Sequence, residues 1–356
     1  MEVPDSPERS GVPGCLLSGR CTEAEGRFAA NREGVVRRGP GRRCAMRERF
    51  QGAIVGLAVG DALGFPVEFI GAEEIRRRHG PQGITDFVAP RSHPRGSYTD
   101  DTQMSLAVAA ALIRHGNDQP EQVLGGIAGE LLAWAQSPEN DRAPGSTTMS
   151  ACRRLQAGRS WRESGVEESK GCGSTIRTAP IGLCCGADRA RLLAIAGQSS
   201  LITHGHPCAV AGAVANALAV ALALADTPPE GFLPQLVEAT QSISPEFVAK
   251  LGQVPEALSM APEGAFDVLG DAWVAEEAMA CALYCFIRSP GDYRSTVLTA
   301  ANASGDSDSI ACIAGGISGA YNGLAAIPEA WRTGVENAKL LVETGTGLWE
   351  ACGRPA

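Results

Sequence analysis

The chain has 356 residues, of which 44% are hydrophobic, 20% charged and 5% aromatic, and its net charge is −9. That length holds one large domain or two ordinary ones, with enough apolar material for a sizeable core. The acidic balance argues against a nucleic-acid-binding face, which would be basic. It does not exclude a phosphate-bearing small ligand held by backbone amides or bound cations.

Residues 1–45 carry eight Arg against six acidic residues, a net +2 that leaves −11 for the remainder. They are rich in Pro, Gly and Ser without hydrophobic periodicity and read as a disordered extension. The opening lacks the basic-then-apolar pattern of a secretory signal. Met46 directly precedes the first organised segment and is an alternative natural start. Residues 46–356 read as one domain.

Abundant Ala and Gly with few β-branched clusters favour close-packed helices over sheets. Apolar residues recur at helical spacing through Arg47–Val59, Gln103–Arg114, Glu121–Ala135 (with Pro120 at its start), Ser146–Leu155, Arg189–Gln198 and His206–Ala225. The same spacing continues through Leu233–Ser242, Pro245–Leu251, Asp271–Phe286, Asp292–Ala301, Ile310–Leu324 and Pro328–Val342. No run of alternating strands and no fixed-period repeat is visible. The expected architecture is all-α, a single compact bundle joined by short loops. Cys208–Ala225 is apolar enough to resemble a membrane span, interrupted only by Asn216. Its Ala-rich composition fits a buried central helix better. The 12 cysteines are irregularly spaced and form no zinc-type CxxC pair. They read as reduced, mostly buried thiols of a cytoplasmic protein.

Five segments carry chemistry. Gly60–Glu68 breaks the first helix and exposes Asp61, suited to capping a local turn, and Glu68, either a surface acid or a proton carrier. Gly96–Thr102 contains Thr99-Asp100-Asp101-Thr102 at a helix start. Capping explains one Asp, but two adjacent carboxylates flanked by hydroxyls suit a hard divalent cation. Ser169–Thr175 is a glycine-rich loop whose amides can approach phosphates or simply turn the chain. Thr203-His204-Gly205-His206-Pro207 has two His at i, i+2 and no HExxH pattern, so ligand contact and helix opening are favoured over metal. Gly305-Asp306-Ser307-Asp308-Ser309 opens another helix with two Asp and a hydroxyl, about two hundred residues beyond the first acidic cluster. Two oxygen-rich helix starts without Cys point to Mg²⁺, Ca²⁺ or Mn²⁺ rather than Zn²⁺.

In this order, GAIVGLAVGDALG, GSYTDDTQMSLA, GCGSTIRTAPIGL, THGHP and SGDSDSIACIAGGISGAYNG resemble the ADP-ribosylglycohydrolase family, over about residues 46–343. The resemblance implies an all-α orthogonal bundle with two Mg²⁺ (or Mn²⁺) in a cleft. Thr99, Asp100, Asp101, Asp306, Asp308 and Ser309 would hold the metals. Ser309 stands where many members have Thr, keeping the hydroxyl but losing the methyl. Glu68, with metal-bound Asp101 and Asp306, would carry the catalysis. Gly145, Ser169, Gly171, Gly173 and His204 would line the ADP-ribose pocket, and Cys172 stands where some members carry a polar residue. The implied reaction is hydrolysis of the glycosidic bond of ADP-ribose on a modified side chain, most commonly arginine, by a monomer acting without nucleic acid or membrane. Serine-linked ADP-ribose, O-acetyl-ADP-ribose, a two-metal nucleotide phosphoesterase and a non-catalytic ADP-ribose binder are the alternatives. All four Asp of the implied metal set are present.

Overall fold

The computed structural model describes residues 40–90, 92–142 and 144–353, with backbone alone for 40–45. The disorder expected of residues 1–45 therefore falls, for 1–39, outside the described residues. Helix α1 runs Pro40–Gly64, starting before the predicted Arg47. There follow α2 (Ala72–His79), α3 (Asp100–His115), α4 (Pro120–Ala135), α5 (Ser146–Gln156), α6 (Gly173–Ile176), α7 (Ala179–Cys185), α8 (Arg189–Leu201) and α9 (Pro207–Leu224). The chain continues through α10 (Phe232–Thr240), α11 (Pro245–Leu251), α12 (Val254–Ala257), α13 (Pro262–Leu269) and α14 (Ala275–Arg288). It closes with α15 (Tyr293–Ala301), α16 (Ser307–Asn322), α17 (Glu329–Gly334) and α18 (Ala338–Cys352). Among the described residues there is no strand, only isolated bridges Val166↔His204 and Gly171↔Val274.

The central contact is between α1 and α16, which lie antiparallel along their lengths. Gly52, Gly56, Gly60 and Gly64 recur every four residues, so they share one face of α1. A methyl at Gly52 would stand 2.5 Å from the Gly319 carbonyl oxygen, and one at Gly56 2.5 Å from that of Gly315. A methyl at Gly60 would meet the Ala311 carbonyl, and one at Gly64 would stand 2.5 Å from the Asp308 amide nitrogen. The two backbones approach this closely because glycines line the α1 face and Gly315 and Gly319 line part of the α16 face. Tyr293 on α15 seals the seam by donating its hydroxyl to Gly56 O at 2.7 Å.

Helix α9 is the apolar stretch that resembled a membrane span. Two helical segments, Met46–Val67 and Pro207–Leu224, have the length and composition to cross a bilayer, yet 89% and 83% of their windows are buried inside the protein. Asn216 is fully buried, and its Nδ2 donates to Thr175 O at 2.8 Å, which satisfies a carbonyl at the end of α6.

Several expectations need correction. Loops are not uniformly short: residues 80–99 and 157–172 are long connections. The first is pinned by Asn302, whose Oδ1 accepts Ile84 N at 2.7 Å and whose Nδ2 donates to Ile84 O at 2.9 Å. The helix expected over Pro328–Val342 breaks at Val335–Asn337, where Asn337 takes φ 52°. There Glu336 N donates to Gly96 O at 2.9 Å and the Glu336 carboxylate pairs with Arg142 at 2.6 Å, so tertiary partners divert the chain. The α2 and α13 segments were missed because each buries little: Ile75 alone on α2, and three residues on α13. The cysteines are not all reduced. Cys184 and Cys352 form a disulfide with Cα atoms 4.9 Å apart, joining α7 to the end of α18.

Gly60→Ala is expected to lower stability by about 1–3 kcal/mol, because the methyl overpacks a backbone seam that cannot open locally. Denaturant unfolding of the variant measures this, and an unchanged midpoint would contradict the close approach. Reducing the disulfide, or Cys352→Ser, is expected to cost about 2–4 kcal/mol by releasing a long loop. Thermal unfolding with and without reductant reads that loss.

Candidate functional site

The seam between α1 and α16 delivers the acidic residues. Where α1 ends, a short 3₁₀ turn (Phe65–Val67) carries the chain to Glu68 and Phe69. Phe69 takes φ 57° and donates its amide to Gly305 O at 2.7 Å, which ties this turn to the segment before α16. Glu68, Asp306 and Asp308 thereby come together, with carboxylate oxygens within 4.8 Å of one another. Asp306 N donates to Asp271 O at 2.9 Å, and Asp306 opens α16.

The first acidic cluster joins from α3. Thr99 caps this helix, its Oγ1 accepting Asp101 N at 3.2 Å. Asp61, buried on α1, does not cap a local turn as expected. Its Oδ1 accepts Thr99 N at 2.9 Å, and its Oδ2 accepts Thr102 N at 3.0 Å and the Thr102 hydroxyl at 2.5 Å. Asp61 thus satisfies amides at the start of α3 from another helix. Ser309 donates its hydroxyl to Asp101 Oδ2 at 3.0 Å, linking the two clusters directly. Cys172 was read only as a doubtful pocket contact. Its thiol donates to Asp306 Oδ2 at 3.2 Å, which places sulfur against the carboxylates.

Six carboxyl groups therefore share one buried region, and burial raises the pKa of each. Glu68 is pushed up to about 8, by burial and then by Asp306, Asp100 and Asp61. Asp100 rises to about 7, by burial and Asp61, and Asp61 to about 6 by burial against its hydrogen bonds. Asp101 and Asp308 lie well above the ordinary range for the same reasons, and Asp306 is raised by burial. The charged neighbours acting on these groups are other carboxylates. Asp308 Oδ1 is buried without a hydrogen-bond partner. Hydroxyl and carboxylate oxygens converging without a compensating side-chain cation fit hard divalent cations, which would remove the repulsion.

The expected pocket residues lie beside this cluster. Gly145 precedes α5, and its backbone hydrogen-bonds Asp100. Ser169 Oγ is 3.1 Å from Thr147 Oγ1. Gly171 and Gly173 face His204: methyls built on them would stand 3.4 Å from its Nε2 and 3.3 Å from its Cε1. The His204 Nδ1 is 2.8 Å from Thr203 Oγ1. Burial, and then the buried Arg177 guanidinium, push His204 down to about 3, so it is neutral at physiological pH. His206 is the cap of α9, its Nδ1 accepting Cys208 N at 3.1 Å. Glu68 also lines a cavity of about 790 Å³ with Phe65, Phe69, His93 and Arg142. Phe69 stacks on Trp273 at 4.4 Å, and both rings are half exposed at the rim.

A sequence profile of the ADP-ribosylglycohydrolase family matches residues 43–355. The chain belongs to that family. It is therefore a glycohydrolase. An uncharacterized protein of Archaeoglobus fulgidus is 33% identical over 86% of this chain and 97% of its own length. The human ADP-ribosylhydrolase ARH3 is 26% identical over 81% of this chain and 89% of its own. The ADP-ribosylarginine hydrolase Tri1 of Serratia proteamaculans is 26% identical over 80% of this chain and 74% of its own. A solved structure described as an ADP-ribosylglycohydrolase-related protein complex superposes with a TM-score of 0.71 at 28% identity, covering 87% of this chain and 99% of that one.

Asp308→Asn should separate repulsion from ligation. Relief of one like-charge contact should raise the denaturation midpoint of the cation-free protein. The rise in melting temperature on adding Mg²⁺ should shrink in the same variant. A cation-free variant less stable than the parent would contradict uncompensated repulsion.

Proposed function

We propose that this enzyme removes ADP-ribose from arginine side chains of modified proteins, with two divalent cations of the Mg²⁺ or Mn²⁺ type. The observation that carries the reading is the convergence of six carboxyl groups, four of them buried and with other carboxylates as the leading charges on them, beside a glycine-rich loop. Thr99, Asp100 and Asp101 would hold cations from α3, and Asp306, Asp308 and Ser309 from α16. Bound there, the cations supply orientation of the ribose hydroxyls and polarisation of a water.

The remaining work belongs to this chain's own groups. Glycosidic cleavage passes through an oxocarbenium-like state, so a proton must reach the leaving group as the bond breaks. Glu68 stands at the cluster edge and lines an open cavity, so it can carry a proton between the cluster and the leaving group. Asp101 and Asp306 hold the reacting end in place. The amides of Gly145, Gly171 and Gly173 can approach the pyrophosphate, since no side chain bars them. Neutral His204 offers a hydrogen bond to the ligand without a charge, and Ser169 a hydroxyl.

Arginine is favoured over serine or an O-acetyl group by one feature at the rim. Phe69 follows directly on Glu68 and stacks on Trp273, and the pair presents an aromatic face suited to a guanidinium. The Tri1 relatives are named as ADP-ribosylarginine hydrolases.

The test is release of free ADP-ribose from an ADP-ribosyl-arginine peptide, with Mg²⁺ and then with EDTA. Metal-dependent release is expected, with Asp306→Asn reducing turnover at least a hundredfold while remaining folded. Trp273→Ala should raise KM for the arginine-linked substrate more than it lowers kcat. Release of AMP would identify a phosphoesterase instead, and normal turnover of Asp306→Asn would remove the assignment.

A further inference from the structure

A second group of ligating side chains lies outside the acidic cluster. His206 at the start of α9, Cys208 two residues on, and Glu246 in the first turn of α11 place a ring nitrogen, a thiol sulfur and a carboxylate oxygen within 4.8 Å of one another. The sequence alone gave no reason to join them, because Glu246 lies far along the chain. His206 Nδ1 accepts the Cys208 amide, so a metal ion takes this lone pair in place of the amide. Cys208 is fully buried, with its sulfur 3.2 Å from Ser244 Oγ. Ser244 in turn accepts Phe247 N at the start of α11.

A further buried carboxylate lies nearby, linked to Glu246 through Lys170. Glu276, in the first turn of α14, is 3% exposed, and its Oε2 has no hydrogen-bond partner. Its Oε1 is 2.6 Å from Lys170 Nζ, which also lies 2.7 Å from Glu246 Oε1. Helix dipoles explain the two carboxylates, each in a first turn. Capping of α9 explains the imidazole; neither effect explains a thiol sulfur within 4.8 Å of both the imidazole and the Glu246 carboxylate. Lys170 is a third exposed and can swing to solvent.

We propose that His206, Cys208 and Glu246 form a second metal site, separate from the acidic cluster, that takes a borderline-soft cation of the Zn²⁺ class. A mixed nitrogen, sulfur and oxygen set selects Zn²⁺ over Mg²⁺. On binding, the Cys208 thiol gives up its proton to solvent, the His206 lone pair leaves the Cys208 amide, Lys170 leaves Glu246, and water completes a four-coordinate shell. The filled site ties α9 to α11 beside the 169–173 loop. The assignment does not depend on the proposed substrate.

The experiment uses the full chain with saturating Mg²⁺ to occupy the acidic cluster, and Co²⁺ as a spectroscopic stand-in for Zn²⁺. One equivalent of Co²⁺ should give a sulfur-to-metal charge-transfer band that Zn²⁺ abolishes. The band should survive Cys172→Ser and vanish in Cys208→Ser. Glu246→Gln changes an exposed residue and leaves the fold undisturbed; it should weaken Zn²⁺ binding at least tenfold by calorimetry and reduce the Zn²⁺-induced rise in melting temperature. Absence of the band, its persistence in Cys208→Ser, or unchanged Zn²⁺ affinity in Glu246→Gln would overturn the proposal.

Discussion

The contact between α1 and α16 is a backbone-to-backbone seam, and the chemistry of the protein hangs from its ends. Glycines at every fourth position of α1 allow carbonyl oxygens of α16 to come where side chains would otherwise stand. Because the helices run antiparallel, the C-terminus of α1 meets the N-terminus of α16. Gly64 lies against Asp308, and Glu68 follows within one short turn. A larger residue in the seam would part the helices and separate Glu68 from Asp306 and Asp308. Stability and function therefore rest on the same small residues, which have no chemistry of their own.

The second constraint is electrostatic. Folding brings carboxyl groups from α1, α3, α16 and the 65–68 turn into one buried region without a compensating side-chain cation among their charged influences. Some of the strain is relieved by helix starts. Asp61 accepts two amides and a hydroxyl of the α3 start, which favours its charged form and partly opposes burial. Asp308 has no such relief at Oδ1. Asp61 thus uses its oxygens within the fold, while Asp308 keeps one without a hydrogen-bond partner.

That division explains which parts were legible in the sequence. Thr99 to Thr102 and Asp306 to Ser309 are local motifs, so their residue types and helix-start positions could be read directly. Their meeting, through Ser309 and Asp101, depends on the seam and leaves no local trace. Asp61 looked like a local cap because a cap is defined by sequence neighbours, yet its partners are about forty residues away. Cys172 sat in a loop whose glycines suggested phosphate contact, and only the fold turns its sulfur toward Asp306. The disulfide was hidden for a similar reason. Irregular spacing gives no pairing, and adjacent Cys184 and Cys185 on α7 meet different surroundings, one bridged to α18 and one in the core. The helices themselves were mostly legible, since each buries a periodic face; α2, with one buried residue, had no periodicity to read.

The same fold gives the site two unlike ends, and this bears on what can bind. At one end lie the carboxyl groups, which repel anions unless cations intervene. At the other, Gly171 and Gly173 expose backbone, and the bridges Val166↔His204 and Gly171↔Val274 hold that loop in place. His204 faces these glycines, kept neutral by burial and by Arg177, a buried guanidinium that donates to Ser199 O and the Thr203 hydroxyl. Amides and a neutral ring can face a diphosphate without like-charge repulsion, whereas sugar hydroxyls can face a cation-filled carboxylate cluster. A ligand matched to both ends carries phosphate at one side and a ribose with free hydroxyls at the other. On the proposed reading ADP-ribose has that order along its length, so its reacting ribose lies beside Glu68 and the exposed aromatic pair, where the acceptor side chain must emerge.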